Sequence, residues 1–415
     1  MASAADGIRW LRQGLQLVEG RHCMHTVLAE QPPPSSAPAL LALGKAAPAM
    51  LLGALQYLTR HGLTPGTVLG VTKGGHWMPW RSEIQALAPA AILLEGSHPL
   101  PDEASLLAGE ALHHWADVLP VGQPVWVMLS GGASALVERL VPGMNLAEWQ
   151  ALNHWLLSGG WSIHRINRVR AQFSQIKGGG LARLLSPRPV RAFVLSDVPG
   201  NDLDVIASAP LRPMPLPEPA DWAALPARWR DRVQPQAKVC PRVPHVLVGD
   251  NARWLQAVAE VSEAPLQVET ETFSGPLEAI VHRLAQAEQP LLIGGEATVT
   301  LPADVGLGGR NQHLALWMAR LLAGTDGWCV ALGSDGTDGP TDAAGGWADG
   351  QTWQRLQRAG RSPEQALARF DSHGALKAIG QTIETGPTGT NVMDAVLYWP
   401  PSTALMRSRV RSSAP

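Results

Sequence analysis

The sequence predicts an α/β protein whose sheets are parallel or mixed and are covered by helices. Short apolar runs recur along the chain, and each is followed by glycine or polar residues and then by apolar residues at helical spacing. Strands that alternate with helices in this way build a sheet with helices on its faces. The chain has 415 residues, of which 45% are hydrophobic, and this is enough for two domains of ordinary size.

The apolar runs fall into two sets along the chain. The first set is residues 39–43, 68–71, 91–94, 125–129, 192–195 and 246–248, and the second is 266–268, 291–293, 328–332 and 395–399. Before the last run of the first set, residues 210–244 contain nine prolines, whose backbone nitrogen cannot donate a hydrogen bond to a neighbouring strand. This segment predicts an irregular crossing between domains. We therefore expect one domain over residues 1–240 and a second over residues 241–415.

Residues 289–324 are the most informative stretch of the chain. An apolar run ends in Gly294-Gly295-Glu296, and a glycine-rich loop at 306–309 leads into an amphipathic helix that begins near Arg310 and stops at Gly324. Glycine lets backbone N–H groups approach an anion closely, a helix N-terminus attracts negative charge, and arginine binds anions through two donors. The stretch therefore predicts a site for phosphate or carboxylate.

Other candidate residues also stand directly after apolar runs. They are Lys45, Lys73, His76, Ser130, Gly131, Gly132, Ser134, Asp197, Asp335 and Asp338. In open α/β sheets, ligands bind beyond the carboxyl ends of the strands. We therefore expect these side chains to share the functional edges of their sheets.

Each candidate also has a purely structural explanation. Residues 130–134 fit a tight strand-to-helix turn with a serine cap as well as an anion-binding loop. Asx-turns would explain Asp335 and Asp338 as well as a magnesium site does, and the spacing does not fit an EF-hand. Arg170 and Lys177 would suit a solvated helix end as well as an anionic substrate. The chain has neither a Walker-type phosphate loop nor a dinucleotide-binding glycine fingerprint.

Eight sequence motifs together resemble the type-2 glycerate kinase family, whose C-terminal part is the MOFRL domain. They are LGKAAPAM at 43–50, EGSHPLPDEAS at 95–105, MLSGGASAL at 128–136, residues 158–182, LSDVPGNDLDVIASAP at 195–210, residues 289–324, LGSDGTDGPTDAAG at 332–345, and TGPTGTNVM at 385–393. Each motif alone is weak, but all eight occur in the order of that family. The resemblance spans roughly residues 5–400.

The resemblance implies two dissimilar three-layer α/β/α domains around a central cleft, and an enzyme that phosphorylates the 2-hydroxyl of D-glycerate or a related hydroxy acid with ATP and Mg²⁺. It assigns catalysis to Lys45, Asp197 and Arg310. It assigns the nucleotide phosphates to Ser130, Gly131, Gly132, Ser134, Gly308, Gly309, Asn311 and Asn391. It assigns the acceptor substrate to Lys73, His76, Asn167, Arg170 and Lys177, and the metal to Glu296, Asp335 and Asp338.

Two alternative functions remain open from the sequence. Members of the family are often named hydroxypyruvate reductases, which would need NAD(P)H, although the chain lacks a dinucleotide fingerprint. The other alternative is a nucleotide-binding paralogue that has lost turnover. Family members commonly carry Lys-His where this chain has Ala171 and Gln172, and a Glu where it has His313. These departures predict a weaker hold on the acceptor and unchanged binding of ATP.

Charge and composition bound the possible partners and the compartment. The net charge of −2 lacks the positive excess that is typical of nucleic-acid-binding proteins, and no apolar run reaches the length of a membrane span. Three widely spaced cysteines fit a reducing compartment, so a cytoplasmic protein is expected. The expected partners are therefore a nucleotide and a small hydroxy acid. The sequence leaves a homodimer open.

Overall fold

A computed structural model describes residues 2–412, and these residues form two compact units. The N-terminal unit contains residues 19–249. The C-terminal unit contains residues 250–412 together with residues 2–18. This grouping differs from the expected division at residue 240 in two respects. The first helix packs with the C-terminal unit, and the sixth strand completes the sheet of the N-terminal unit.

The N-terminal unit is built on a six-stranded parallel sheet. Its strands are β1 Ala39–Leu43, β2 Val68–Lys73, β3 Ile92–Gly96, β4 Val125–Ser130, β5 Val190–Leu195 and β6 His245–Gly249, in the order β3-β2-β1-β4-β5-β6. The helices up to residue 249 are α1 Ala4–Leu17, α2 Gly20–Ala29, α3 Ala47–Arg60, α4 Arg81–Leu87, α5 Glu103–Asp117, α6 Ala133–Leu136, α7 Leu146–Ser158, α8 Ile163–Phe173, α9 Gly180–Leu185, α10 Pro219–Ala224 and α11 Ala227–Arg230. Two 3-10 turns lie at Pro199–Asn201 and Ile206–Ser208.

Both faces of this parallel sheet are covered, which explains its continuous apolar strands. All five residues of β1 are buried, and alternate ones point to opposite faces. Leu41 and Leu43 share a core with Trp115 of α5 and Leu181 of α9, while α3 contacts the same strand and is buried along most of its length. The predicted α/β class is therefore confirmed for this unit.

The C-terminal unit has a seven-stranded mixed sheet. Its strands are β7 Gln267–Val268, β8 Phe273–Pro276, β9 Leu291–Thr298, β10 Trp328–Gly333, β11 Gly345–Asp349, β12 Thr382–Ile383 and β13 Asp394–Trp399, in the order β12-β11-β10-β13-β9-β7, with β8 also paired to β9. Its remaining helices are α12 Asn251–Val261, α13 Leu277–Gln286, α14 Arg310–Leu322, α15 Thr352–Arg358, α16 Pro363–Ala368, α17 Ser372–Ala378 and α18 Ala404–Ser412. The pairs β9–β13, β13–β10, β10–β11 and β11–β12 are antiparallel.

Helix α1 belongs to the C-terminal unit because it packs tightly on α12. It begins with a capping box between Ser3 and Asp6, which satisfies backbone donors of its first turn. A Cβ atom on Gly14 would lie 2.5 Å from a methyl carbon of Val258, so only glycine allows the two helices to approach this closely. Trp254 of α12 donates its indole N–H to the Leu11 carbonyl oxygen at 3.2 Å.

The proline-rich segment 210–244 contains α10 and α11 and no strand, as its composition predicts. Trp229 of α11 is buried in a small core with Trp149 of α7 and Phe173 of α8. The segment therefore covers the α7–α8 pair. In the stretch that the structure describes, every helix is too short or too polar to cross a membrane.

Candidate functional site

The loops that follow β1, β2 and β4 lie side by side in the N-terminal unit, because the register places the ends of these parallel strands next to one another. The Lys45 N–H donates to the Gly131 carbonyl oxygen at 3.0 Å, and the Ala46 N–H donates to Ser130 Oγ at 3.0 Å. His76 Nδ1 lies 3.3 Å from the carbonyl oxygen of Lys45. Ser130 is fully buried and holds the loops together through this hydrogen bond.

The Lys45 side chain runs over Gly132. A Cβ atom on Gly132 would lie 3.2 Å from Lys45 Cγ and 3.3 Å from His98 Cδ2. Gly132 has φ +84°, a conformation that favours glycine. His98 lies within the motif at residues 95–105 and was not among the predicted site residues. Its position shortly after β3, at the same sheet edge as Lys45, would have identified it as a candidate.

A second cluster in this unit links Ser134 of α6 with α8 and the second 3-10 turn. Ser134 Oγ lies 3.1 Å from Arg170 Nη2 and 2.8 Å from Ser208 Oγ. The Ser208 hydroxyl also lies 3.0 Å from Asn167 Oδ1, to which it donates. The structure thus brings together Ser134, Asn167 and Arg170, which the sequence assigned to phosphate and acceptor binding.

Ser208 in this cluster is held in a strained backbone conformation. Ala207, Ser208 and Ala209 have φ values of +53°, +59° and +51°. Left-handed conformations cost non-glycine residues energy and persist only where the surroundings impose them, often at functional sites. Ser208 was not among the predicted candidates, because nothing in the local composition indicates a left-handed turn at this position.

Lys177 does not point at a ligand, in contrast to its predicted substrate-binding role. Its side chain is fully buried, and its ammonium group donates to Glu138 Oε2 at 2.6 Å and to the Ser134 carbonyl oxygen at 2.8 Å. Burial lowers the pKa of Lys177 to about 8, and the charge of Glu138 opposes that shift. Lys177 therefore helps to hold the backbone of Ser134 in place through this hydrogen bond. Its partner, Glu138, lies in a part of the chain that gave no sequence signal.

A different lysine reaches the place where family members carry Lys-His. Ala171 is buried, and Gln172 Oε1 accepts the backbone N–H of Gln236 at 2.9 Å. The Lys238 ammonium group donates to the carbonyl oxygens of Ala171 at 2.6 Å and Ser174 at 2.5 Å. The proline-rich segment thus places a lysine ammonium group against the backbone of residues 171 and 174. A lysine at the buried position 171 would have to displace this packing.

In the C-terminal unit, Arg310 at the start of α14 pairs with two carboxylates. Its Nε lies 2.5 Å from Asp394 Oδ2 and its Nη2 lies 3.1 Å from Asp394 Oδ1. Its Nη1 forms an ion pair with Glu296 of β9. The Arg310 side chain remains 31% exposed, whereas that of Asp394 is 4% exposed. The protein itself thus supplies two anions for Arg310 and fixes the direction of its guanidinium group. Asp394, at the first position of β13, was not among the predicted site residues.

The N-terminus of α14 is occupied by a carboxylate of the protein, which corrects the predicted roles of Asn311 and Asp338. The Asp338 carboxylate is buried and accepts the backbone N–H groups of Asn311 at 3.1 Å and Gln312 at 2.8 Å. It also accepts the Gln312 side-chain amide at 3.0 Å. Asp338 therefore caps the helix, and these two N–H groups are already hydrogen-bonded within the protein.

The glycines before α14 allow this cap to form. A Cβ atom on Gly308 would lie 2.3 Å from Ser372 Oγ, and one on Gly309 would lie 2.2 Å from Asp338 Cγ.

We expect Gly309→Ala to lower the free energy of unfolding by about 1–3 kcal/mol, because the added methyl group overpacks the cap. Chemical denaturation checks this. Gly74→Ala is the control, since the nearest atom to its added Cβ lies at 3.9 Å; equal effects of the two changes would contradict the steric argument.

The loops that carry Asp335 and Asn391 pack on each other. The Val392 N–H donates to Ser334 Oγ at 2.7 Å, and the Ser334 N–H donates to the Met393 carbonyl oxygen at 3.0 Å. Asp335 Oδ1 accepts the Thr337 backbone N–H at 2.9 Å, which is an Asx-turn. These contacts place Asp335, Asn391 and Asp394 in one connected region at the ends of β10 and β13.

The acidic residues of this region differ in how well they suit a magnesium ion. Among residues 2–412, no group of three or more His, Cys, Asp or Glu side chains is arranged to hold a metal ion. Mg²⁺ needs only one or two carboxylates when substrate phosphates complete its coordination. Glu296 has a 44% exposed side chain and fits that requirement, whereas the buried helix cap Asp338 does not.

Comparisons with known proteins agree with this architecture. The profile described as "Domain of unknown function (DUF4147)" matches residues 8–239, and that of the MOFRL family matches residues 289–394. The chain is 36% identical over 383 residues to a D-glycerate 2-kinase of Thermotoga maritima, covering 86% of this chain and 89% of that one. It is 33% identical over 339 residues to a glycerate 2-kinase of Pyrococcus horikoshii, covering 74% and 77%.

A solved structure extends this agreement to three dimensions. The crystal structure of glycerate kinase from Thermotoga maritima matches with a TM-score of 0.80 at 32% identity, and the match covers 95% of this chain and 98% of that one. The predicted fold class is therefore confirmed along nearly the whole chain. By its two matched domains and its close relatives, the chain belongs to the type-2 glycerate kinase family.

Proposed function

We propose that the protein transfers a phosphoryl group from ATP to the 2-hydroxyl group of D-glycerate, or of a related hydroxy acid, with Mg²⁺ present. One observation in the N-terminal unit supports an organic acid as acceptor. Arg170 Nε is buried and has no hydrogen-bond partner among the described residues. An unsatisfied buried donor typically costs about 1–3 kcal/mol. The carboxylate of a hydroxy acid bound beside the Arg170 guanidinium group, near Ser134, would compensate the positive charge of this largely buried side chain.

Other candidate residues of the N-terminal unit suit phosphoryl transfer, which depends on positioning and on charge neutralisation. Asp197 follows β5 and is partly exposed, so its carboxylate suits acceptance of the proton from the 2-hydroxyl group. Lys45 lies over Gly132 and would stabilise the negative charge that develops on the transferred group. His76 lies next to Lys45, and Lys73 stands at the end of β2; both would help to orient the acid.

In the C-terminal unit, Arg310, Glu296, Asp394 and Asp335 are proposed to bind the phosphates of the nucleotide and its metal ion. Arg310 has a fixed guanidinium group that is partly exposed, which suits contact with phosphate oxygens. The Arg310, Glu296 and Asp394 side chains together carry a surplus of negative charge, which favours a cation. Mg²⁺, when bound, would neutralise charge on the phosphates, and Glu296 with Asp335 are the residues proposed to hold it.

One assay separates the kinase from the alternatives. The purified protein is incubated with ATP, Mg²⁺ and a panel of hydroxy acids and followed for ADP, while NADH and NADPH oxidation with hydroxypyruvate is measured beside it. We expect acid-dependent ADP formation and no nucleotide oxidation. Hydroxypyruvate-dependent oxidation of NADH without ADP formation would favour a reductase. ATP binding by calorimetry without turnover would favour the non-catalytic paralogue.

We expect Arg170→Met to raise the KM for D-glycerate at least about tenfold, because each charged hydrogen bond contributes about 1.5–3 kcal/mol. The KM for ATP should change less than about twofold. Steady-state kinetics with either substrate varied checks this. Arg168→Met is the matched control on the same helix, since Arg168 instead pairs with the exposed Glu218 at 3.1 Å. An unchanged KM for D-glycerate in Arg170→Met would contradict the assigned contact.

A further inference from the structure

Four side chains of the N-terminal unit form a closed ring of hydrogen bonds that includes Arg170. The Arg170 Nη2 atom lies 3.1 Å from Ser134 Oγ, and its Nη1 atom lies 3.4 Å from Asn167 Oδ1. Ser208 Oγ lies 2.8 Å from Ser134 Oγ and 3.0 Å from Asn167 Oδ1. The two terminal nitrogens of one guanidinium group are therefore connected to each other through Ser208.

The donors and acceptors of this ring fit together in one direction. A guanidinium group only donates, so the Asn167 atom that faces it is the carbonyl oxygen, which only accepts. The Ser208 hydroxyl has a single proton and donates it to that oxygen, so it accepts a hydrogen bond from the Ser134 hydroxyl. Ser134 accepts in turn from Arg170. A turn of the guanidinium group about its axis would therefore break both of its hydrogen bonds at once.

The ring has a buried side and an accessible side. Ser208 and Asn167 are each only 2% exposed, so neither offers surface to a ligand. Ser134 and Arg170 are half-buried and keep accessible surface. A substrate bound at this ring would therefore touch Arg170 or Ser134, and Ser208 would influence it only through these two residues.

The ring fixes the direction of the Arg170 guanidinium group without cancelling its charge. Both of its hydrogen-bond partners, Ser134 and Asn167, are neutral. Glu138 is the acidic residue that attracts Arg170 electrostatically, and it already forms a buried ion pair with Lys177 at 2.6 Å. A cation that is oriented by neutral groups suits an anion supplied by the substrate, such as the carboxylate of the acceptor.

The backbone that carries Ser208 is held in place from outside the ring. Ser208 is the middle one of three consecutive left-handed residues, none of which is glycine. The Gly178 N–H donates to the Ser208 carbonyl oxygen at 3.0 Å, and the Gly179 N–H donates to the Ala209 carbonyl oxygen at 2.8 Å. Such strained conformations persist where the surrounding structure imposes them. Here the imposed turn places the Ser208 hydroxyl between Ser134 and Asn167.

We propose that Ser208 is a positioning residue for the acceptor substrate: through Ser134 and Asn167 it holds the Arg170 guanidinium group in the direction that binds the acceptor carboxylate. This rests on the proposed kinase function, because it concerns the acid that Arg170 is assigned to bind. The ring is complete before the acid binds. Loss of the Ser208 hydroxyl should therefore weaken binding of the acid and leave phosphoryl transfer from ATP nearly unchanged.

Ser208→Ala opens the ring and keeps the left-handed backbone. We expect the KM for D-glycerate to rise about three- to tenfold, the range expected for one hydrogen bond between neutral groups. The kcat and the KM for ATP should change less than about twofold. Ala207→Gly is the matched control, since it relieves strain at the neighbouring residue, keeps the hydroxyl and should leave all three constants unchanged. An unchanged KM for D-glycerate in Ser208→Ala would overturn the proposal.

A double-mutant cycle with Arg170→Met tests whether Ser208 acts through Arg170. With no guanidinium group to orient, adding Ser208→Ala to Arg170→Met should change the KM for D-glycerate less than about twofold further. A residue with a merely structural role would raise the KM by the same factor in both backgrounds. Equal factors would therefore overturn the positioning role.

Arginine side-chain NMR tests the ring without substrate or turnover. The Nε–H signal of Arg170 is identified by its absence in Arg170→Met, and its exchange reports rotation of the guanidinium group about the Nε–Cζ bond. We expect slow rotation in the parent protein and in Ala207→Gly, and faster rotation in Ser208→Ala. Equally slow rotation in Ser208→Ala would overturn the proposal. Faster rotation in a protein that does not phosphorylate D-glycerate would sink the proposed function and keep Ser208 as the residue that orients Arg170.

Discussion

Arg310→Ala is expected to reduce phosphoryl transfer at least about tenfold, because a cation placed over developing phosphate charge typically contributes more than about 1.4 kcal/mol to transition-state stabilisation. The structure adds a second effect. Asp394 is almost fully buried and loses the partner that holds both of its oxygens. An unpaired buried carboxylate is destabilising. The variant should therefore lose activity and stability together, as measured by ADP release and by chemical denaturation.

A double variant separates these two effects. Arg310→Ala with Asp394→Asn removes the cation and also the buried charge, so it should recover much of the stability and none of the activity. Arg310→Lys keeps the charge without the two-donor geometry and should fall between the parent and Arg310→Ala. If the double variant regained the turnover of the parent protein, Arg310 would act only by neutralising Asp394, and its proposed contact with phosphate would be wrong.

Lys177→Met is expected to lower the free energy of unfolding by about 3–5 kcal/mol, the usual effect of removing one partner from a buried ion pair. Both side chains of the Lys177–Glu138 pair are fully buried, and Ser174 Oγ donates to the second Glu138 oxygen at 2.5 Å. Glu138 would then keep its charge without its cation. Since domains are stable by only about 5–15 kcal/mol, urea denaturation should show the loss clearly.

The matched control is Lys177→Met with Glu138→Gln, which removes both charges. A double-mutant cycle isolates the interaction, and the double variant should be more stable than Lys177→Met alone. Arg212 and Asp204 form an exposed ion pair in the same unit, with side chains 42% and 44% exposed. Arg212→Met should change stability by less than about 1 kcal/mol. Equal losses for Arg212→Met and Lys177→Met would show that burial of the pair is unimportant.

Sequence patterns were sufficient for the parallel sheet and for α14. Strands such as β1 and β4 are continuous apolar runs, so they were visible from composition. In the C-terminal unit, β11 reads Gly-Gly-Trp-Ala-Asp and has no apolar run, although it pairs with β10 along its whole length. β11 is a strand because it pairs with β10 and β12, and this pairing cannot be recognised from its own composition. The grouping of α1 with α12 depends on a helix contact that is equally invisible.

The positions of candidate residues were predictable where a residue follows a strand end, and not where its position depends on partners that are distant in the sequence. Lys45 and the 130–134 loop were placed correctly at one sheet edge because both follow parallel strands. The cap of α14 was not predicted correctly. The sequence of a helix N-terminus is the same whether the anion bound there is a ligand or the carboxylate of Asp338. Lys177 was misassigned for the same reason, because its partner Glu138 lies 39 residues away in the sequence.

The position of the new phosphate tests the central claim most directly. The protein is incubated with ATP, Mg²⁺ and D-glycerate, and the product is examined by proton-coupled phosphorus NMR. A phosphate on the 2-hydroxyl group couples to the single proton of that carbon and gives a doublet, which is the predicted result. A triplet would place the phosphate on the terminal hydroxyl group, and the absence of any phosphorylated product would show that the chain does not phosphorylate D-glycerate; either result would contradict the proposed function.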